Sequence, residues 1–424
     1  MPTVALPINS VGRQMAWVIA TMNGPKLPSD AELIARFAPA FLAAIPPDQI
    51  RSVFTQLAST KPYRVTAISV HEAAALAVEV VDSAGSKVGI AMQLSQGRIA
   101  GLQAQPVSAT PRPTNWTGVR DALAKVGTNQ GLLAAEVRGD GTLTPIAEVN
   151  ADRTQPIGST FKLYVLGALA QAVSNGDARW KEPLRVVSRY KSLPSGRLQD
   201  APAGRTLPLQ EFATRMISES DNTATDHLIA RLGHRAIERS MVAMGNANAS
   251  RNVPLLTTRN LFQLKATAKP SPLLATYAKA GEAERRQILQ RLDVDPQPLR
   301  VGRNGTTIWS APRAVDRVEW FASPSDLARA QVYLARQGRQ PALAAVSAVL
   351  SKNPGVPLDR SKWPHVAFKG GSEPGVVAVS WYLVRADGRA FVLALSASDT
   401  KKPVSEDGIV TAAQGAVDIL ARKQ

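Results

Sequence analysis

Ser159 and Lys162 are the two residues of this sequence best placed to do covalent chemistry. Side chains three positions apart on a helix share one face, so the lysine amine can reach the serine hydroxyl. A serine hydroxyl is a poor nucleophile until a base takes its proton, and a lysine can be that base when desolvation or nearby positive charge lowers its pKa. The spacing therefore predicts that Ser159 attacks and that Lys162 takes its proton.

A second pair with the same spacing, Ser188 and Lys191, is of the kind that chance supplies in a chain of 424 residues. Ser159 follows a predicted strand and a Pro-Ile-Gly turn and opens an apolar helix predicted over 161–173. At a helix N-terminus its backbone N–H can stabilise a developing oxyanion. Ser188 lies in a basic, polar segment with no buried helix behind it, and we interpret it as ordinary surface.

The string Ser220-Asp221-Asn222 falls between the end of one predicted helix and the start of the next. In such a turn a serine and an asparagine two positions apart can both point into one cleft. Ser220 could relay a proton to a leaving group, and Asn222 could hydrogen-bond a substrate amide and the lysine. Taken alone, the string would be an ordinary helix N-cap.

A third group of residues, Lys369, Gly371 and Ser372, stands at the end of a predicted strand. Glycines let a substrate lie against the strand edge, and Lys369 supplies positive charge to a substrate carboxylate. The backbone N–H of Ser372 can complete an oxyanion hole with that of Ser159. We therefore expect Lys369 to be catalytic and expect Gly371, Ser372 and Asn222 to bind the substrate.

The amino-acid composition argues against several classes of function. The chain has no cysteine and four scattered histidines, so it offers no thiolate chemistry and no helical zinc motif, and we expect neither a metal nor another cofactor. Its net charge of +17 is spread thinly, with no basic run of five or more, which favours a solvated basic surface over a nucleic-acid site. No apolar run is long enough to cross a bilayer.

The length favours two domains. A short amphipathic helix (11–22), a helical pair (30–57) and four apolar strand-like segments (63–70, 74–81, 87–94 and 98–103) predict a small α+β domain over 1–110. The proline-rich stretch 106–114 reads as a linker. The second domain, 114–424, begins with a helix and a hairpin turning at 139–141, continues through a mostly helical region, and closes with three strand-like segments and a helix.

The three motifs in this order resemble the signature set of class A β-lactamases and penicillin-binding proteins. The resemblance covers about Thr114 to the C-terminus. It implies an α+β fold with a five-stranded antiparallel sheet flanked by helices, and Ser159 at the head of a buried helix. It also implies a small-molecule ester, a β-lactam or a peptidoglycan-like compound as substrate.

The chain also resembles a narrower group, two-domain β-lactamase-like hydrolases with a small steroid-isomerase-like domain in front, one branch of which accompanies clavulanic acid biosynthesis. Members of that group look like esterases more than resistance enzymes. Glu72 and Glu79 of the front domain could be imagined as bases, but we interpret both as solvated.

Two departures from the signature affect the expected activity. No Asp or Glu occurs between Glu238 and Glu282, where class A β-lactamases carry the loop glutamate that activates water for deacylation. Gly370 stands where a hydroxyl residue is usual, which removes one hydrogen bond to a substrate carboxylate, worth about 1.5–3 kcal/mol. The residues at 251–260 that fill the loop supply no carboxylate base, so release of a β-lactam-derived acyl group is expected to be slow.

The leading hypothesis is therefore an esterase-like serine hydrolase with weak β-lactam turnover, acting through a Ser159 acyl-enzyme. A class A-type β-lactamase is the first alternative, and a cell-wall D-Ala peptidase or a β-lactam sensor that stays acylated are further ones. The sequence leaves the oligomeric state open. We expect a periplasmic or secreted location if a signal preceded Met1, and a cytoplasmic one otherwise.

Overall fold

The computed structural model describes residues 4–106, 111–193, 195–267, 270–294 and 309–422. The chain divides into two compact units, Met1–Pro111 with Pro357–Asp359, and Arg112–Val356 with Arg360–Gln424. Residues 107–110 of the predicted linker lie outside the described residues. Within the described ranges, no helix is both long and apolar enough to cross a membrane.

The first unit consists of helices followed by strands. They are α1 (Ser10–Asn23), α2 (Asp30–Arg36), α3 (Pro39–Ala44), α4 (Pro47–Ala58), β1 (Arg64–His71), β2 (Ala75–Val81), β3 (Lys87–Ser95) and β4 (Arg98–Pro106). Three helices cover 30–58 where a pair was predicted, because Pro39 begins α3 as Pro47 begins α4. A proline favours the first turn of a new helix and cannot donate the hydrogen bond that would extend the preceding one.

The four described strands of this unit form an antiparallel meander in the order β1-β2-β3-β4. Helix α1 begins at the Asn9 cap, whose side chain accepts from the Gly12 N–H. Its buried residues recur at helical spacing and share one core with the sheet: Val11, Met15, Val18, Ile19 and Met22. Trp17 adds edge-on contacts with Phe37 and Phe54 at ring-centroid distances of 6.1 and 6.0 Å.

The second unit contains the three motifs. Its helices are α5 (Trp116–Ala124), α6 (Lys162–Ser174), α7 (Leu209–Ser218), α8 (Asn222–Leu232), α9 (His234–Ala243), α10 (Thr258–Lys265), α11 (Pro272–Lys279), α12 (Glu282–Val294), α13 (Pro324–Gln337), α14 (Ala344–Leu350) and α15 (Glu406–Leu420). Its strands are β5 (Asn129–Val137), β6 (Leu143–Val149), β7 (Gln155–Pro156), β8 (Pro183–Arg185), β9 (Thr206–Pro208), β10 (Phe321–Ala322), β11 (His365–Glu373), β12 (Val376–Val384) and β13 (Ala390–Ser398).

Five of these described strands form an antiparallel sheet in the order β11-β12-β13-β5-β6. The pair α5 and α15 packs together, with α15 against β13, while α13 packs on β12, β13 and β5 and also contacts α6. The predicted α+β class with a five-stranded antiparallel sheet is confirmed. Strand β11, which carries Lys369, is an edge strand of this sheet, so one side of its backbone is available to a substrate.

The segment leading to Ser159 is fixed by a short pairing outside the main sheet. Strand β7 pairs with β10, and the Ile157 N–H donates to the Trp320 carbonyl at 2.9 Å. The Trp320 ring stacks on Phe161 with centroids 3.8 Å apart and planes 4° from parallel, and its Nε1–H donates to the Leu256 carbonyl at 3.0 Å. Trp320 therefore contacts the chain on both sides of Ser159, at Ile157 through its carbonyl and at Phe161 through its ring.

Replacement of Trp320 by alanine should lower the free energy of unfolding by about 3–5 kcal/mol, because the buried indole and its stacking contact with Phe161 are lost together. Trp320→Phe keeps the stack and loses the Nε1 hydrogen bond, so a smaller loss of about 1–2 kcal/mol is expected. Denaturant titration measures both. Val242→Ala, at a side chain 66% exposed, is the control and should change stability by less than about 0.5 kcal/mol. Equal losses in the two Trp320 variants would contradict the role given to the ring.

Candidate active site

Ser159 lies in a 3-10 turn, Gly158–Phe161, that leads directly into α6. The regular α-helix begins at Lys162, so Ser159 precedes it by one turn and does not cap it. Ser159 is half-buried, whereas the first nine residues of α6 are all buried. A partly accessible hydroxyl in front of a buried helix is the position that a nucleophile attacking an external substrate requires.

Lys162 is fully buried and its amine is surrounded by oxygen atoms. Its Nζ donates to the Ser220 carbonyl at 2.6 Å and to the Asn222 Oδ1 at 2.6 Å, and lies 3.2 Å from the Ser220 Oγ. Burial, followed by the positive charge of Lys369, holds the pKa of Lys162 well below its usual range. The lowered pKa favours the uncharged form of Lys162, which is the form that proton abstraction needs.

The Ser220 carbonyl and the Asn222 amide oxygen also orient the Lys162 amine. A neutral amine has two N–H groups, and the Ser220 carbonyl and the Asn222 amide oxygen can take one each. Its lone pair is then left for the Ser159 hydroxyl, and the proton taken there can afterwards be donated to the Ser220 Oγ.

The turn before α8 presents Ser220 and Asn222 to Lys162. Asp221 caps α8 by accepting from the Ala224 N–H at 2.7 Å, and its second oxygen accepts from the Arg197 and Leu198 N–H groups, each at 2.8 Å. Ser220 has a φ of +54°, an uncommon conformation for a residue other than glycine. Asp221 is thus the helix cap that the string suggested, and the residues on either side of it point to the lysine.

Lys369 reaches the same serine from β11. Its Nζ donates to the Ser220 Oγ at 3.0 Å and to the Gly370 carbonyl at 2.6 Å. Burial lowers the pKa of Lys369 to about 7. The Ser220 hydroxyl therefore lies between two lysine nitrogens, an arrangement that lets it pass a proton from Lys162 towards a leaving group.

Two glycines bring the backbone of β11 against the nucleophile turn. A Cβ placed on Gly371 would lie 2.3 Å from the Ser159 nitrogen, and one on Gly158 would lie 2.9 Å from the Ser372 nitrogen. Gly158 also has a φ of +50°. The N–H groups of Ser159 and Ser372 are consequently close together at the edge of β11, as an oxyanion hole requires.

The loop 251–260, here called the acid-free loop, contacts the site through backbone groups and Thr258. The Asn252 side chain accepts from the Phe321 N–H at 2.7 Å and donates to its carbonyl at 2.9 Å, which fastens the loop to β10. At the start of α10, the Thr258 hydroxyl lies 3.3 Å from the Asn222 carbonyl. Asp226 accepts from the N–H groups of Thr258 and Arg259, both at 2.8 Å, and burial raises its pKa to about 7. The loop therefore buttresses Asn222 and brings no carboxylate of its own.

The other sequence candidates lie apart from these groups. Ser188 is exposed in a short 3-10 turn. Glu79 pairs with Lys87 at 2.7 Å and accepts from the Thr66 hydroxyl at 3.0 Å, so its partners are those of an ordinary strand residue. In the ranges that the structure describes, no group of three His, Asp or Glu side chains could hold a metal ion.

Sequence reasoning missed two residues that support the site, Asp226 and Trp320. Asp226 is a buried carboxylate one turn after Asn222, and its spacing of four residues from Asn222, which puts both on one face of α8, was a usable signal. Trp320 lies in a loop far along the chain from Ser159, and no local pattern relates the two.

Comparison with known protein families gives a match for each of the two units. Residues 118–306 match the beta-lactamase enzyme family, and residues 6–99 match the ORF 12 gene product N-terminal family. No curated protein matches the chain. With the site described above, the match identifies an enzyme of the serine hydrolase class. Its second unit is β-lactamase-like.

The solved structures to which the chain is similar include two β-lactamases and PBP-A. The β-lactamase from Sphaerobacter thermophilus is 21% identical with a TM-score of 0.48, and covers 72% of this chain and 96% of its own. The β-lactamase from Desulfarculus baarsii is 20% identical with a TM-score of 0.48, covering 73% and 99%. The structure of PBP-A is 20% identical with a TM-score of 0.46, covering 73% and 97%.

Gly371→Ala should lower the rate of Ser159 acylation by about 100-fold or more, because the added Cβ forces β11 away from the Ser159 N–H and opens the oxyanion hole. Gly370→Ala is the matched control, since the nearest atom to its Cβ would be a carbon of the Phe368 side chain at 3.0 Å, with no backbone atom closer than 3.7 Å. Stopped-flow acylation with an activated ester measures both variants. Similar rates for the two would contradict the contact assigned to Gly371.

Lys369→Met should move the acid limb of the acylation rate to higher pH. Lys369 is one cause of the low pKa of Lys162, so its removal raises that pKa, and a higher pH is then needed to keep Lys162 uncharged. The readout is the pH at which the acid limb falls in a pH profile of the single-turnover acylation rate. Loss of contacts between Lys369 and the substrate would lower only the plateau of that rate. A limb at unchanged or lower pH would refute the electrostatic coupling.

Proposed function

We propose that this protein is an esterase-like serine acyl hydrolase that works through a Ser159 acyl-enzyme and turns over β-lactams slowly. The observation that carries the proposal is the Ser220 hydroxyl held between the Nζ atoms of Lys162 and Lys369, at 3.2 and 3.0 Å. Acyl transfer is the chemistry served by a buried neutral amine beside a half-exposed serine with two N–H groups close by.

In the proposed acylation, Lys162 takes the Ser159 proton while the serine oxygen attacks the acyl carbon. The oxyanion that forms is stabilised by the N–H groups of Ser159 and Ser372. The proton then passes from Lys162 through the Ser220 hydroxyl to the leaving group as the acyl–oxygen or acyl–nitrogen bond breaks. Lys369 supports this transfer and offers positive charge to a substrate carboxylate.

The ester preference rests on the acid-free stretch 239–281 and on Gly370. Without a loop carboxylate, a bulky β-lactam-derived acyl group lacks the usual means of activating water. Without a hydroxyl at position 370, a carboxylate beside Lys369 loses one hydrogen bond. Both changes weaken β-lactam turnover more than turnover of a simple ester.

For the first unit we infer the steroid-isomerase-like front domain of two-domain β-lactamase-like hydrolases of the clavulanic-acid-pathway type. The match of residues 6–99 to the ORF 12 gene product N-terminal family supports this inference. Helices α1 to α4, the antiparallel meander and their common core are compatible with it.

A panel of activated esters, penicillins, cephalosporins and D-Ala-D-Ala peptides tests the proposal on the wild type and on Ser159→Ala. We expect ester hydrolysis that Ser159→Ala abolishes, together with a mass adduct on the Ser159 peptide. Fast penicillin turnover would favour the β-lactamase alternative, release of D-alanine the peptidase, and an adduct that persists for hours the sensor. Full activity in Ser159→Ala would refute the mechanism.

A further inference from the structure

Strand β11 carries a carboxylate on the same face as Lys369. Side chains alternate along a strand, so Lys369, Gly371 and Glu373 point to one side, with neighbours in this series about 7 Å apart. Gly371 is the residue whose Cβ would collide with the Ser159 nitrogen. Lys369 and Glu373 therefore flank the nucleophile turn on opposite sides.

Glu373 belongs to a buried group of three charged side chains, Lys265, Glu319 and Glu373. Lys265 donates to the Glu373 Oε1 at 2.5 Å, with side-chain exposures of 0% and 6%. Glu319 is 4% exposed, and one of its oxygens accepts from the Trp320 N–H at 2.6 Å. This group, here called the acid cluster, joins α10, the residue before Trp320 and the end of β11.

The acid cluster is adjacent to the nucleophile turn. The backbone N–H of Gly158, the residue before Ser159, is close enough to the Glu319 carboxyl to lower its pKa. The charge of Glu373 raises the same pKa. Burial and Glu373 raise the pKa of Glu319 to about 8, so this carboxyl keeps a proton at neutral pH. Burial raises the pKa of Glu373 as well, and its ion pair with Lys265 at 2.5 Å opposes that rise by stabilising the carboxylate.

The cluster differs from the carboxylates on the Lys162 side in having free acceptor atoms. Asp221 and Asp226 use both of their oxygens on backbone N–H groups. Among the described residues, the Glu319 Oε1 and the Glu373 Oε2 are buried and have no hydrogen-bond partner. A buried unpartnered carboxylate oxygen is costly, and a water molecule is the partner that would satisfy it.

We propose that Glu373, supported by Lys265 and Glu319, is the general base that activates water to hydrolyse the Ser159 acyl-enzyme. The base is thus supplied by β11 and not by the acid-free loop. This inference rests on the acyl-enzyme of the proposed function.

In this step the Glu373 carboxylate takes one proton from water as the water oxygen bonds to the acyl carbon. The tetrahedral oxyanion is held by the N–H groups of Ser159 and Ser372. It collapses with cleavage of the bond between the acyl carbon and the Ser159 Oγ, and the proton held by Glu373 returns to that oxygen. The product leaves as a carboxylic acid, and no oxidant or co-reactant is needed.

Glu373→Gln tests the step with an activated ester in a burst experiment. We expect the burst of about one equivalent to remain, the steady-state rate to fall at least about 100-fold, and the Ser159 adduct to accumulate, because acylation uses Lys162 and only deacylation uses Glu373. The matched control is Glu136→Gln, which breaks an exposed pair with Arg389 at 2.5 Å and should behave as the wild type.

Because Glu373→Gln leaves Lys265 buried without its counter-ion, the double variant Lys265→Met/Glu373→Gln is measured in parallel. Hydroxylamine, a nucleophile that does not need the base, should restore acyl release in both variants. An unchanged steady-state rate, a lost burst, or release that hydroxylamine does not restore would each overturn the assignment. A wild type that forms no Ser159 adduct would instead refute the proposed function.

Discussion

The burial of Lys162 is the constraint on which the rest of the catalytic unit depends. An ammonium group without solvent is costly, so the folded protein favours the neutral amine, and the neighbouring Lys369 strengthens that preference. A neutral amine is useful only where its lone pair faces a hydroxyl. The carbonyl of Ser220 and the amide oxygen of Asn222 fix that direction by accepting its two hydrogens.

The residues around Lys162 come from segments that are far apart in the chain. Contacts made by three other residues hold these segments in place. Trp320 fixes the approach to Ser159, Asp221 shapes the turn carrying Ser220, and Gly371 lets β11 lie against the nucleophile turn. None of the three is proposed to touch a reacting atom. Each keeps a hydroxyl, an amine or an N–H group within the few tenths of an ångström that proton transfer and oxyanion binding tolerate.

The sequence predicted the parts of this site that short spacings encode. Ser159 and Lys162, the Ser220 turn and the glycines after Lys369 are local patterns, and the strands of the four-stranded and five-stranded sheets follow from alternation and turn residues. Local patterns did not reveal that Trp320 stacks on Phe161 or that Lys265 meets Glu373, because these contacts join residues more than a hundred positions apart. The α-helix beginning at Lys162, after a 3-10 turn, was also not encoded by periodicity, which does not distinguish the two helix types over a single turn.

Helix α10 links the two sides of the nucleophile. Its first N–H groups, on Thr258 and Arg259, are donated to Asp226 near Lys162, and its last residue, Lys265, pairs with Glu373. Eight residues of α-helix span about 12 Å, and the Asp226 carboxylate at the N-terminus and the Lys265 amine at the C-terminus both match the helix dipole. Helix α10, which begins within the acid-free loop, thus compensates a buried carboxylate on each side. This helix therefore affects the charge of both carboxylates, because its first N–H groups lower the pKa of Asp226 and Lys265 opposes the rise in the pKa of Glu373.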